Sequence, residues 1–111
     1  MFKIVAAPTF TCAVRLSRPD ADAPVEIEVT WRHKNLEQLA AWRAAAAAGG
    51  MADVDILDQV MVGWTRVLDE ADKPLDYSRE ALAVLLSNFP AASQELYAAY
   101  VKRLADARAK N

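Results

Sequence analysis

Hydrophobic and polar positions alternate strictly along two stretches near the start of the chain. From Thr9 to Leu16, the residues Phe10, Cys12, Val14 and Leu16 fall on one side, and Thr9, Thr11, Ala13 and Arg15 on the other. From Val25 to Arg32, the residues Val25, Ile27, Val29 and Trp31 oppose Glu26, Glu28, Thr30 and Arg32. A period of two over segments rich in β-branched and aromatic residues predicts two half-buried strands. The connection Ser17 to Pro24 holds two prolines and two aspartates, which is turn chemistry and joins the strands as an antiparallel hairpin. Two strands alone are marginal in water, so the apolar face requires a cover.

Further on, the pattern changes to that of helices. Asn35 is placed to cap a helix over Leu36 to Ala48, with Gln38 completing a capping box and Gly49-Gly50 ending it. Leu36, Leu39, Ala40, Trp42, Ala46 and Ala47 share its apolar arc. A second helix is predicted from Asp53 to about Trp64, with Val54, Ile56, Leu57, Val60, Met61 and Trp64 in one arc. The segment from Thr65 to Tyr77 breaks the pattern and holds the charged turn Asp69 to Pro74. Ser78 then caps a third helix, with Tyr77 and Leu82 placed for a hydrophobic staple and Leu82, Leu85, Leu86 and Phe89 as its stripe. Pro90 marks a break. A fourth helix starts by about Ser93 and is expected to continue nearly to the end, with Leu96, Tyr97, Tyr100, Val101 and Leu104 in one arc. The reading is an α+β fold, an N-terminal antiparallel β-hairpin packed against about four α-helices. It makes residues 1–111 one domain, with a hairpin region (1–34) and a helical region (35–111).

Composition narrows the function. A chain of 111 residues has room for one core. Its 54 % hydrophobic and 25 % charged content is that of a globule rather than a disordered tail. No apolar run approaches the roughly 18–20 residues of a membrane helix, and the first eight residues are too short an apolar stretch for a secretory signal. A single cysteine, Cys12, cannot form an internal disulfide, so the expected location is a reducing cytoplasm. The net charge of −2 is unevenly spread: residues 35–76 carry three basic and eight acidic groups, between two faintly basic ends. Without a basic cluster the chain lacks the phosphate-neutralising force that nucleic-acid binding needs.

Catalytic constellations are not found. The lone histidine, His33, sits between Arg32 and Lys34 just beyond a predicted strand, with no carboxylate to orient it as a base. One Cys and one His make no zinc set. Asp53, Asp55 and Asp58 lack the glycine and terminal glutamate of a calcium loop and read as helix-start acids. Gly49-Gly50 lacks the following GK[ST] of a phosphate loop. The reading is therefore of a non-enzyme, with no catalytic, cofactor-binding or metal residues. Two features suit binding instead. The first helix is slim, with five alanines after Trp42-Arg43, and Arg43 projects into its apolar arc, where pairing with Asp53, Asp55 or Asp58 is expected. The last helix carries two tyrosines in a broad arc, and tyrosine is a favoured interface anchor. Trp42, Arg43, Ala46, Tyr97, Tyr100 and Val101 are the candidate partner-binding residues.

The order of segments resembles a family of tail assembly chaperones of tailed phages and prophages. The resemblance runs through Pro8-Thr9-Phe10-Thr11-Cys12-Ala13-Val14, Val29 to Lys34, Asp53 to Leu57, Val62-Gly63-Trp64, Tyr77 to Leu82, Ala91 to Tyr100 and Ala107 to Asn111. It spans nearly the whole chain, though no single motif is diagnostic. Where relatives often have glycine in the turn after Gly63-Trp64, this chain has Ala71-Asp72, so the family's turn geometry is not carried over there. The resemblance implies a small protein of the host cytoplasm that holds the long, helical, aggregation-prone tape-measure protein until tail-tube subunits polymerise around it. It would then be released and be missing from the mature virion. In many members a ribosomal frameshift yields a longer form that recruits the tail-tube protein; this chain would correspond to the short form. Helix-in-groove contact with the client is the expected mode, with self-association as a homo-oligomer through the same surface. No nucleic acid, membrane or cofactor is expected. The rival readings are a structural tail or head-completion subunit retained in the virion, and a DNA-binding regulatory module.

Overall fold

The computed structural model describes residues 1–105, so the expected run of the last helix toward the end of the chain lies partly outside the described residues. Its elements are β1 (Thr9–Leu16), β2 (Val25–Arg32), α1 (Leu36–Ala47), α2 (Asp53–Asp58), β3 (Met61–Thr65), α3 (Arg79–Asn88) and α4 (Ala92–Ala105). The fold is α+β, an antiparallel sheet of order β1-β2-β3 with helices over one face.

The hairpin forms as its alternation dictates. Thr9 pairs with Arg32 and Leu16 with Val25, which places Cys12 opposite Val29 and Val14 opposite Ile27 on the covered side. Those residues, with Leu16 and Trp31, are buried. On the wet side Thr11 and Thr30 share a hydroxyl hydrogen bond of 2.8 Å. The far end of the hairpin is tied to the helical layer: the Ser17 N–H donates to the Glu95 carboxylate at 3.0 Å, and the Ser17 hydroxyl donates to the same group.

The predicted second helix divides. α2 stops at Asp58, and Met61–Thr65 becomes β3, pairing with β2 through Glu28↔Thr65, Val29↔Trp64 and Thr30↔Gly63. Gly63 is costly within a helix, and Met61-Val62-Gly63-Trp64-Thr65 is better placed completing the open β2 edge. Ile56, Leu57, Val60, Met61 and Trp64 are buried even so, because a short helix followed by a strand turns the same side chains inward.

The caps are as the sequence predicts. Asn35 accepts from the Gln38 N–H at 2.9 Å while the Gln38 side chain accepts from the Asn35 N–H at 3.0 Å. Gly49 follows the helix at φ 81°, the left-handed position that glycine supplies without strain. Ser78 accepts from the Ala81 N–H at 3.0 Å. In the turn before α3, the Asp69 carboxylate accepts from the Ala71 and Lys73 N–H groups, and Asp72 takes φ 61°. That is the conformation a glycine would adopt, and aspartate is one of the few other residues that visit it routinely.

The core lies between the sheet and α2, α3 and α4. Trp31, Tyr100, Leu57, Met61, Leu82 and Leu96 are its largest fully buried members. α1 contributes Leu39 and Trp42. The rest of its predicted apolar arc is displaced outward: Leu36 is 85 % exposed, Ala40 and Ala47 are exposed, and Ala46 is half-buried. Alanine offers too little apolar area to hold a helix face down, so α1 touches the core along a narrow strip.

Candidate functional site: a groove between the first and last helices

Two aromatic residues join α1 to α4. The Trp42 ring stacks on Tyr97 with centroids 5.0 Å apart and meets the edge of Tyr100 at 5.2 Å. Its indole N–H donates to the Ile56 carbonyl at 3.2 Å, which fixes α1 above α2 as well. Tyr100 lies deeper, 4.9 Å from Trp31 and stacked with Phe10 at 6.1 Å, and its hydroxyl donates to the Arg32 carbonyl at 2.7 Å. Burial in this cage pushes the Tyr100 hydroxyl up to about 12.

Beyond the Trp42–Tyr97 contact, α1 and α4 part to leave a cleft of 440 Å³. Ala46 and Ala47 line it from α1, Tyr97 and Ala98 from α4, and Ile56 and Leu57 from α2. Asp53, Ser93 and Gln94 supply its polar lining, with the Ser93 hydroxyl donating to Asp53 at 2.9 Å. Ala46 and Ala47 on α1 and Ala98 on α4 keep parts of both walls low.

Of the six residues singled out from the sequence, the structure brings Ala46 and Tyr97 into this groove. Trp42 and Tyr100 are 4 % and 0 % exposed, so they support the groove from beneath rather than display a surface. Val101 is half-buried against the core. Arg43 is exposed, and its expected internal pairing is not formed. Asp55 is instead bridged by Arg79 at 2.6 Å, Asp58 accepts from the Tyr77 hydroxyl at 2.6 Å, and Asp53 is taken by Ser93. The three aspartates face the start of α3 and α4, where those partners already stand. Ile56, Leu57 and Ala98 were missed as lining. Their signal was hidden because the first two read as ordinary core and the third lies outside the apolar arc of its helix.

Among the described residues, chemistry-bearing groups do not converge elsewhere. Cys12 is buried in the sheet's covered face, and His33 is half-buried just past β2, its backbone N–H donating to the Pro8 carbonyl at 2.9 Å. Among the described residues no group of three or more His, Cys, Asp or Glu is placed to hold a metal ion. No helix of the described residues is long and apolar enough to cross a membrane.

The chain is a small α+β fold with a groove between its first and last helices. The family model described as phage tail assembly chaperone matches residues 1–111, and the chain belongs to that family. No curated protein and no solved structure matches it.

Proposed function

We propose that the protein binds and solubilises the tape-measure protein during tail morphogenesis, without catalysis, and that the α1–α4 groove receives a helix of that client. Membership of the tail assembly chaperone family supports the role. The observation that carries the site is the groove itself, with alanines on both walls and Ile56 and Leu57 as its apolar floor. A helical client lays an apolar stripe into such a trough, and low walls let the backbones come close. Arg43, exposed beside the groove on α1, is available to an acidic group on the client. On this reading the protein acts in the host cytoplasm, is missing from the mature virion, and reaches the tail-tube protein through a longer frameshifted form.

Co-expression with the tape-measure gene of the same genome tests the reading. The expected result is a soluble complex with the unaltered chain, and an insoluble client when Ala47 and Ala98 are both changed to glutamate. Both positions are exposed, so the substitutions load the groove with charge and leave the core intact. A client whose solubility ignores the protein sinks the proposal. Mass spectrometry of purified particles separates it from a structural tail or head-completion subunit, which would be present in the virion.

A further inference from the structure

Beyond β3 the fold leaves a second groove that differs from the first in its walls. The segment 66–76, which carries the Leu68↔Pro74 bridge, stands off from α3 and leaves a cleft of 510 Å³. Leu68 lines it from that segment, and Val84, Leu85 and Phe89 line it from α3. Leu68 and Val84 are 55 % and 59 % exposed, and Leu85 and Phe89 are half-buried, so bulky apolar groups on both walls stay partly uncovered. The α1–α4 groove, by contrast, has alanines on both walls. Alanine walls suit close approach of a helix backbone, whereas walls of leucine, valine and phenylalanine suit large side chains inserted between them. The volume falls in the roughly 300–1,000 Å³ range of clefts that take a ligand or a few such anchors.

The charge beside this cleft selects among apolar occupants. Asp69 and Glu70 line it from the 66–76 segment, and among the described residues neither forms an ion pair. Both hydrogen bonds to the Asp69 side chain go to Oδ1, which leaves Oδ2 for an incoming donor. Two adjacent carboxylates disfavour an acidic occupant and favour one that brings a cation. A long client tethered at one groove presents its other segments at high local concentration, so even a weak second contact adds to its retention. Resting on the reading that the protein holds the tape-measure protein, we propose that the groove between the 66–76 segment and α3 is a second seat for that client. It takes a stretch whose bulky apolar anchors insert between Leu68 and Val84, with a neighbouring lysine or arginine against Asp69 and Glu70.

Fluorescence polarisation of the full chain tests this, with overlapping synthetic peptides of roughly 25 residues, about seven helical turns, that cover the tape-measure protein of the same genome. Peptides that join bulky apolar residues to lysine or arginine should bind. Val84→Glu and Leu68→Glu, one on each wall, should each weaken those peptides at least about tenfold. Glu70→Lys should weaken them about threefold and flatten their salt dependence. Ala47→Glu with Ala98→Glu should leave them unaffected while removing the peptides seated between α1 and α4. All five positions are exposed, so the far-UV spectrum should be unchanged in every variant. The proposal is overturned if no tape-measure peptide responds to Val84→Glu and Leu68→Glu, if the peptides that respond carry no cation, or if the Ala47 and Ala98 changes weaken them equally. Failure of the α1–α4 site shows differently, as peptides that respond to the Leu68 and Val84 variants with none that responds to the alanine pair.

Discussion

Tyr100 shows how one side chain can be shared among elements far apart in sequence. Its ring meets Phe10 of β1, Trp31 of β2 and Trp42 of α1, and its hydroxyl donates to the Arg32 carbonyl. Removing that hydroxyl's proton would place a charge in an apolar cage, and burial accordingly pushes its pKa up to about 12 from 10.0. Tyr77 is pushed upward too, by burial first and then by its hydrogen bond to Asp58. Both shifts act in the same direction. The folded state keeps these protons after the unfolded chain has begun to lose them, so unfolding releases protons at alkaline pH. Stability should hold up to about pH 10 and fall as the pH rises through about 12. Thermal melts over an alkaline pH series check this, and Tyr100→Phe should flatten the fall. Asp72 makes a different point at the same scale: at φ 61° it fills a left-handed position with a residue that tolerates it, where the family resemblance pointed to glycine.

At the scale of elements, local signals were enough wherever local chemistry decides the outcome. The Asn35 capping box and the Ser78 cap follow from residues within a few positions of one another, and each hairpin strand from its own alternation. Asn35→Ala should therefore cost about 1 kcal/mol, read as a lower urea midpoint with an unchanged slope. The division of Asp53–Thr65 into α2 and β3 was not legible, since Val60, Met61 and Trp64 suit a helical arc as well as a strand. The open edge of β2, distant in sequence, decides between them by offering a ladder to Thr65, Trp64 and Gly63. The same limit applies to the candidate site. Apolar arcs singled out α1 and α4, and Ala46 and Tyr97 lie along one groove. An arc cannot tell a covered aromatic from a displayed one, and Trp42 and Tyr100 are covered by residues contributed from β1, β2 and α2.

At the scale of the molecule, the helices are held unequally. α4 lies against the sheet, delivers Leu96 and Tyr100 to the centre of the core, and is tied to the hairpin end through Glu95 and Ser17. α1 is held by Leu39, by Trp42 and by the single hydrogen bond from Trp42 to Ile56. An element with so little buried area belongs at the low end of local opening free energies. Amide hydrogen exchange should accordingly be faster across Leu39–Ala47 than across Leu96–Tyr100, with the gap narrowing when a client helix is bound. Equal protection of the two segments in the free protein would contradict this account.

The narrow footing of α1 matters because α1 is one wall of the cleft. A trough with one bank firmly set and the other hinged on an indole can widen or narrow at small cost, following changes in the girth of whatever lies in it. On the proposed reading, a long rod-like client would present many successive turns with different side chains, and a holder with an adjustable jaw could grip any of them. Tolerance of sequence would then come from how loosely one helix is moored, with no need for a chemically permissive lining.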